Sequence, residues 1–264
     1  METLSGISTE IWSELARAQD RLLVLDVDGT LAPFTIDRDQ ARIPERSLVA
    51  LGRIAEESRT VVAILSGRPI DGLEPLLDGL PLTLVGEHGW EERSAQGQRI
   101  LHELPVAARE ALERAAHEAL GNDWDERLER KRCALVLHLR DLAPREAETL
   151  AQDALRAWTG PAMREAGLRA DRVEGGVELR ATARHKGIAT AELVAREPEG
   201  AFVACLGDDV TDEDAFEAIA GRGYAIRVGP SVRASHATAR LDGPEAVTDF
   251  LEKWHIEAIE GDRF

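Results

Sequence analysis

The stretch L-L-V-L-D-V-D-G-T-L, residues 22–31, decides how the rest of the chain is read. An apolar run of this length reads as a buried strand, and Gly29 as the turn that ends it. Asp26 and Asp28 stand at i and i+2. They share one face if the strand continues through them. Like charges that close repel, and a hard divalent cation relieves the repulsion because carboxylates are the ligands it takes. The pair therefore predicts a metal-dependent site at the carboxyl end of a strand. An acidic turn closing an ordinary strand accounts for the same residues, and this segment alone does not separate the two.

Further along, two more apolar runs end in polar clusters. T-V-V-A-I-L, residues 60–65, runs into Ser66-Gly67-Arg68, and A-F-V-A-C-L, residues 201–206, runs into Gly207-Asp208-Asp209, with Asp212 close behind. Three strand ends carrying such clusters by chance is much less expected than one. In open α/β sheets ligands bind outside the carboxyl ends of strands. Lysine is scarce, with only Lys131, Lys186 and Lys253 present. Lys186 opens a helix just before the third strand, where its ammonium could reach the same mouth.

Strands and helices alternate over the first hundred residues. Helices are expected over 9–20 and 44–57 and from Pro69, with strands ending at Asp26, over 60–65 and over 81–85. The pattern then changes. Helices over 105–119 and 144–158 accompany a strand within 125–139 and strands at 168–173 and 177–180 across a Gly175-Gly176 turn. Alternation resumes with helices at 185–196, 211–219 and 244–256 and strands at 201–206 and 224–228. The expected fold is α/β: a Rossmann-like, doubly wound parallel-sheet core formed by 1–100 and 176–264, with an inserted α+β cap over 101–175. The short acidic tail after Ile259 is the one candidate for disorder.

The chain has 264 residues, 32 basic and 49 acidic side chains and a formal charge of −17. That balance argues against nucleic acid or an anionic membrane surface as partner. No apolar stretch approaches the ~20 residues of a membrane span, and the first residues lack the features of a secretory signal, so a cytoplasmic location is expected. Cys133 and Cys205 lie in apolar runs and read as buried free thiols.

D-V-D-G-T, S-G-R, a lone lysine and G-D-D-V-T-D-E-D resemble, in order, the four signatures of the haloacid dehalogenase-like phosphatases. The closest resemblance is to the trehalose-6-phosphate phosphatases. E-H-G at 87–89, V-E-L-R at 177–180 and H-K-G at 185–187 are similar to that family. So is E-R-K-R-C-A-L-V-L-H-L-R at 129–140, which resembles the family's cap strand. Leu139 stands where the family has Tyr, and Ala181 where its L-E-x-R-P has Pro.

The resemblance implies a Mg²⁺-dependent sugar-phosphate phosphatase acting on trehalose 6-phosphate, with the inserted segment as a lid. It implies that Asp26 is the nucleophile, Asp28 the acid and then base, and Lys186 a charge partner of the phosphoryl group. Thr30, Ser66, Gly67 and Lys186 would bind phosphate. Arg68, His88, Glu129, Lys131, Arg140, Glu178 and Arg180 would contact substrate. The metal ligands would be Asp26, Asp28 through its backbone carbonyl, Asp208, and Asp209 or Asp212. No synthase domain is read in the chain, so coupling to a trehalose-phosphate synthase is expected between chains. Other readings on the same fold are a phosphatase for another glycosyl phosphate (glucosylglycerol, glucosylglycerate or pseudo-disaccharide), a non-catalytic sugar-phosphate sensor, or a phosphotransferase.

Overall fold

The computed structural model describes residues 6–35, 40–121, 124–173, 175–230 and 234–262. The chain divides into two compact units, one formed by Met1–Leu101 with His185–Phe264 and the other by His102–Arg184.

The larger unit begins α1 (Thr9–Arg17), β1 (Arg21–Leu25), α2 (Glu45–Glu57), β2 (Thr60–Leu65), α3 (Ile70–Leu73), β3 (Thr83–Gly86), β4 (Glu91–Arg93) and β5 (Arg99–Leu101). The smaller unit comprises α4 (Val106–Gly121), β6 (Leu128–Arg130), β7 (Ala134–His138), α5 (Pro144–Trp158), α6 (Pro161–Glu165), β8 (Leu168–Val173) and β9 (Gly176–Ala181). The larger unit then resumes with α7 (Lys186–Arg196), β10 (Phe202–Gly207), α8 (Val210–Ala218), β11 (Tyr224–Val228), β12 (Ala239–Leu241) and α9 (Pro244–Asp262).

The main sheet has the order β12-β11-β10-β1-β2-β3-β4-β5. It is parallel from β12 to β3 and antiparallel at β4 and β5. Burial on both faces explains the unbroken apolar runs, since parallel strands are covered on each side. Alternation still operates within them. Leu23 and Leu25 face one core with Ile11, Trp12, Leu51, Phe250 and Trp254, whereas Leu22 and Val24 face the other with Leu193, Cys205 and Phe216. The sheet is thus held between α1, α2 and α9 on one side and α7 and α8 on the other. β4, β5 and β12, each three residues long, escape a sequence reading because they are too short to show a period.

The smaller sheet, β6-β7-β9-β8, is antiparallel throughout. The expected boundary at 175/176 is corrected here. Gly176–Ala181 pairs with both β7 and β8, so it is a central strand of the smaller sheet, and the chain returns to the larger unit at His185. The Gly175-Gly176 turn joins two strands of one sheet; it is not a crossing between units.

The tail after Ile259 is also corrected. α9 continues to Asp262, because Arg21, fully buried at the start of β1, needs partners at that end. Its guanidinium donates to the Leu15 and Ala258 carbonyls and to Asp262 Oδ1 at 2.8 Å. Residues 263–264 lie outside the described residues. Breaking a buried ion pair by removing one partner is costly. Asp262→Ala is expected to destabilise the fold by about 2 kcal/mol, below the roughly 3–5 kcal/mol of a fully buried pair because Asp262 is partly exposed. Urea denaturation followed by circular dichroism measures this.

Candidate active site

β1, β2 and β10 are adjacent parallel strands, so their carboxyl ends open on one edge of the sheet. After β1 the chain reverses tightly. Gly29 N donates to the Ala32 carbonyl at 2.8 Å, and Thr30 N and Ala32 N both donate to that of Val27. Gly29 is required twice over. Its φ is +86°, and a Cβ there would lie 2.1 Å from the Asp208 carboxylate. This close approach lets the loops after β1 and β10 share one site.

Asp26 is buried at the centre, with Lys186 Nζ at 2.9 Å from its Oδ1. The same ammonium lies 2.7 Å from Asp212 Oδ1. Asp212 Oδ2 accepts the amides of Asp208 and Asp209 at 3.1 and 3.0 Å. Asp212 therefore anchors both the lysine and the β10 loop. Asp209 caps α8 in a reciprocal capping box with Asp212. Thr30 donates its hydroxyl to Asp208 Oδ1 at 3.3 Å. Ser66 is buried and accepts the Arg68 amide, which leaves its own proton to donate to an anion.

Carboxylate oxygens of Asp26, Asp208 and Asp212 lie within 4.8 Å of one another. Among the described residues this is the group of acidic side chains close enough to share a metal, and Asp209 is outside it. Lys186 faces three carboxylates, so the cluster carries excess negative charge when all ionise. Burial first, and then the neighbouring acids, push the Asp208 carboxyl up to about 9. Burial pushes that of Asp26 to about 7 despite the opposing pull of Lys186. An all-oxygen donor set with surplus charge fits a hard divalent cation.

Arg68 is buried and grips Asp28 through both oxygens, Nε to Oδ2 at 2.7 Å and Nη2 to Oδ1 at 2.6 Å. Such a fork is a charge-assisted, geometrically specific pairing. The sequence reading missed this pairing, and it missed Arg227. That buried side chain donates to the Asp208 carbonyl at 2.8 Å and to Glu213 at 3.0 Å. A charge near the end of the apolar run Y-A-I-R-V was the available signal. His88 is buried in the turn after β3, its ring against Gly67.

In the smaller unit, register brings Glu129, Val136, Glu178 and Asp171 to one face of their sheet, with Arg180 two residues beyond Glu178 and His138 two beyond Val136. Cross-strand neighbours on one face interact directly. Lys131 Nζ meets Glu178 at 3.4 Å, with both side chains buried, and His138 Nε2 lies 2.9 Å from Glu129. Arg180 faces Asp171 at 3.7 Å. The Arg140 side chain packs over Gly175.

A parallel α/β core with an inserted unit, an aspartate at the end of β1 and a lysine and acidic loop from α7 and β10 together define a haloacid dehalogenase-like hydrolase. The chain belongs to the trehalose-phosphatase family, whose model matches residues 24–245. It is 31% identical to the trehalose-6-phosphate phosphatase of Escherichia coli, over 86% of this chain and 84% of that one. It is 32% identical to the bifunctional trehalose-6-phosphate synthase/phosphatase of Thermoproteus tenax, spanning 87% of this chain and 31% of that longer protein. The fold matches the solved C-terminal domain of C. albicans trehalose-6-phosphate phosphatase, with a TM-score of 0.83 at 23% identity over 93% of this chain and 95% of that one.

The raised carboxyls make a prediction about pH. Asp26 and Asp208 ordinarily titrate near 3.8, so the folded, metal-free chain binds more protons than the unfolded chain above that pH. In chelator, their contribution to stability is fully present below 3.8 and is lost as pH rises through about 7 and about 9. Divalent cation binding needs the ionised groups, so it releases protons and tightens over the same window. Melting curves at pH 5 to 9, with chelator or with excess Mg²⁺, should show a metal-induced gain that grows with pH.

Proposed function

We propose that this chain hydrolyses trehalose 6-phosphate to trehalose and phosphate, with Asp26 as the covalent nucleophile and Mg²⁺ as cofactor. The observation that carries the reading is Asp26 itself: a buried carboxylate 2.9 Å from a buried lysine, sharing a cluster with Asp208 and Asp212. The family match and the names of the relatives support the substrate. Asp26, Asp208 and the Asp28 carbonyl would hold the metal, with Asp212 bracing the loop. When bound, the cation neutralises charge on the transferring phosphoryl group and orients it.

Asp26 Oδ attacks phosphorus and the bond from phosphorus to the sugar oxygen breaks. Asp28, freed from Arg68 and protonated from solvent as substrate binds, supplies that proton to the leaving oxygen. That role requires Arg68 to release Asp28, and the incoming phosphate offers the guanidinium an alternative bidentate partner. Water then attacks the aspartyl-phosphate, its proton passes to the Asp28 carboxylate, and the bond from phosphorus to Asp26 breaks. Lys186 faces the charge that develops at Asp26, Ser66 and the Gly67 amide supply donors to phosphate oxygens, and the Thr30 hydroxyl joins them when its proton turns from Asp208 Oδ1 to the anion.

The polar face of the smaller sheet supports a role in sugar recognition for Glu129, Lys131, Glu178 and Arg180. Hydrogen-bonding sites discriminate hydroxyl patterns well. The Leu139 and Ala181 departures favour keeping a second reading, the same chemistry on another glycosyl phosphate. Functional coupling to a synthase belongs to the proposal too, supported by the T. tenax relative whose name carries both activities.

A panel of phosphorylated sugars with phosphate release as readout tests the substrate. Trehalose 6-phosphate is expected to be turned over fastest, and preference for another glycosyl phosphate would replace it. Asp26→Asn is expected to lower turnover by roughly a thousandfold or more while the protein stays folded. Near-normal release in that variant rejects the nucleophile. Glu178→Gln is expected to slow trehalose 6-phosphate about tenfold more than p-nitrophenyl phosphate, and equal losses reject the sugar-reading role.

A further inference from the structure

The turn Glu87-His88-Gly89 carries two successive non-glycine residues in the left-handed region, with φ of 46° at Glu87 and 58° at His88. Such conformations are uncommon outside glycine and persist only where surrounding structure over-determines them. The surrounding structure here is the loop after β2. Glu87 N donates to the Arg68 carbonyl at 2.9 Å and His88 N to the Ser66 carbonyl at 3.0 Å, so the two amides straddle Gly67. The His88 ring closes over the same glycine. A Cβ on Gly67 would lie 2.7 Å from both Cε1 and Nε2 of that ring. On its other side the turn rests on α7, with Gly89 against His185 and Ala189. Those residues flank Lys186. The strained turn is thus a spacer between two elements that reach the active-site mouth, one carrying Ser66, Gly67 and Arg68 and the other Lys186.

We propose that His88 is a positioning residue for phosphate binding: its ring and amide hold the Ser66-Gly67-Arg68 loop at its working distance from Lys186. The ring does this by occupying the space above Gly67, which is why residue 67 has no side chain. This rests on the phosphatase reading given above, and assigns His88 an action through the loop in place of direct contact with the sugar.

A double-mutant cycle tests it, using Gly67→Ala, His88→Asn and the pair together. Asparagine tolerates the left-handed backbone, so His88→Asn keeps the turn while removing the ring. Each variant is assayed with Mg²⁺ for phosphate release from trehalose 6-phosphate, for inhibition by inorganic phosphate, and for thermal melting. His88→Asn is expected to weaken inorganic-phosphate inhibition and raise KM, each about tenfold, with a melting temperature near that of the parent. Gly67→Ala alone, which drives a methyl into the ring, is expected to lose more. In the pair, the asparagine makes room for that methyl, so its loss should be at least about tenfold smaller than the product of the single losses. Losses that simply multiply, or a His88→Asn variant that melts early yet binds phosphate normally, would overturn the positioning role. An unmodified chain that neither hydrolyses trehalose 6-phosphate nor responds to inorganic phosphate would overturn the phosphatase reading itself, and this inference with it.

Discussion

One buried ammonium organises this molecule. Lys186 Nζ lies between Asp26 at 2.9 Å and Asp212 at 2.7 Å, with almost no access to solvent. A charge in that position is tolerable only with partners, and the two aspartates serve different ends. Asp26 closes the end of β1 beside Asp208, whereas Asp212 turns its second oxygen to the amides of Asp208 and Asp209. The ammonium therefore links a strand end, a helix start and a loop from three separate parts of the chain. It cannot by itself neutralise the carboxylates it faces. The burial and crowding that raise Asp26 to about 7 and Asp208 to about 9 are the same features that suit the cluster to a divalent ion.

The sheet sets the distances at which these groups meet. Adjacent parallel strands put their carboxyl ends side by side, and close approaches at Gly29 and Gly67 bring loops nearer than side chains would allow. Arg68 then occupies the space beside Asp28. Arg68 holds Asp28 as an ion pair through both carboxylate oxygens. In the mechanism proposed above, that pairing would couple substrate arrival to proton transfer beside Asp26.

Much of this was legible in the residues. Apolar runs located β1, β2 and β10, and polar clusters at their ends pointed to one edge of the sheet. What escaped was pairing between charged groups distant in sequence. Nothing local in Ser66-Gly67-Arg68 indicates that its guanidinium faces Asp28, and nothing in Y-A-I-R-V indicates that Arg227 reaches the β10 loop. Asp209 and Asp212 look equivalent in sequence, yet helix geometry makes the first a cap and the second an anchor. The residues 176–181 were misassigned to the core because strand pairing is non-local. A buried strand looks the same in either sheet. The acidic tail looked unstructured because its partner, Arg21, lies at the other end of the chain.

The scarcity of lysine has a practical side. Lys186 is shut inside the site, Lys131 is locked to Glu178, and Lys253 lies over the Trp12 ring at 4.5 Å. Reagents that seek primary amines thus meet a surface served almost entirely by guanidinium groups. Among the lysines, Lys253 on α9 is the principal handle. Ester-based dyes and amine-coupled sensor chips would accordingly find few side-chain amines on this protein, Lys253 chief among them.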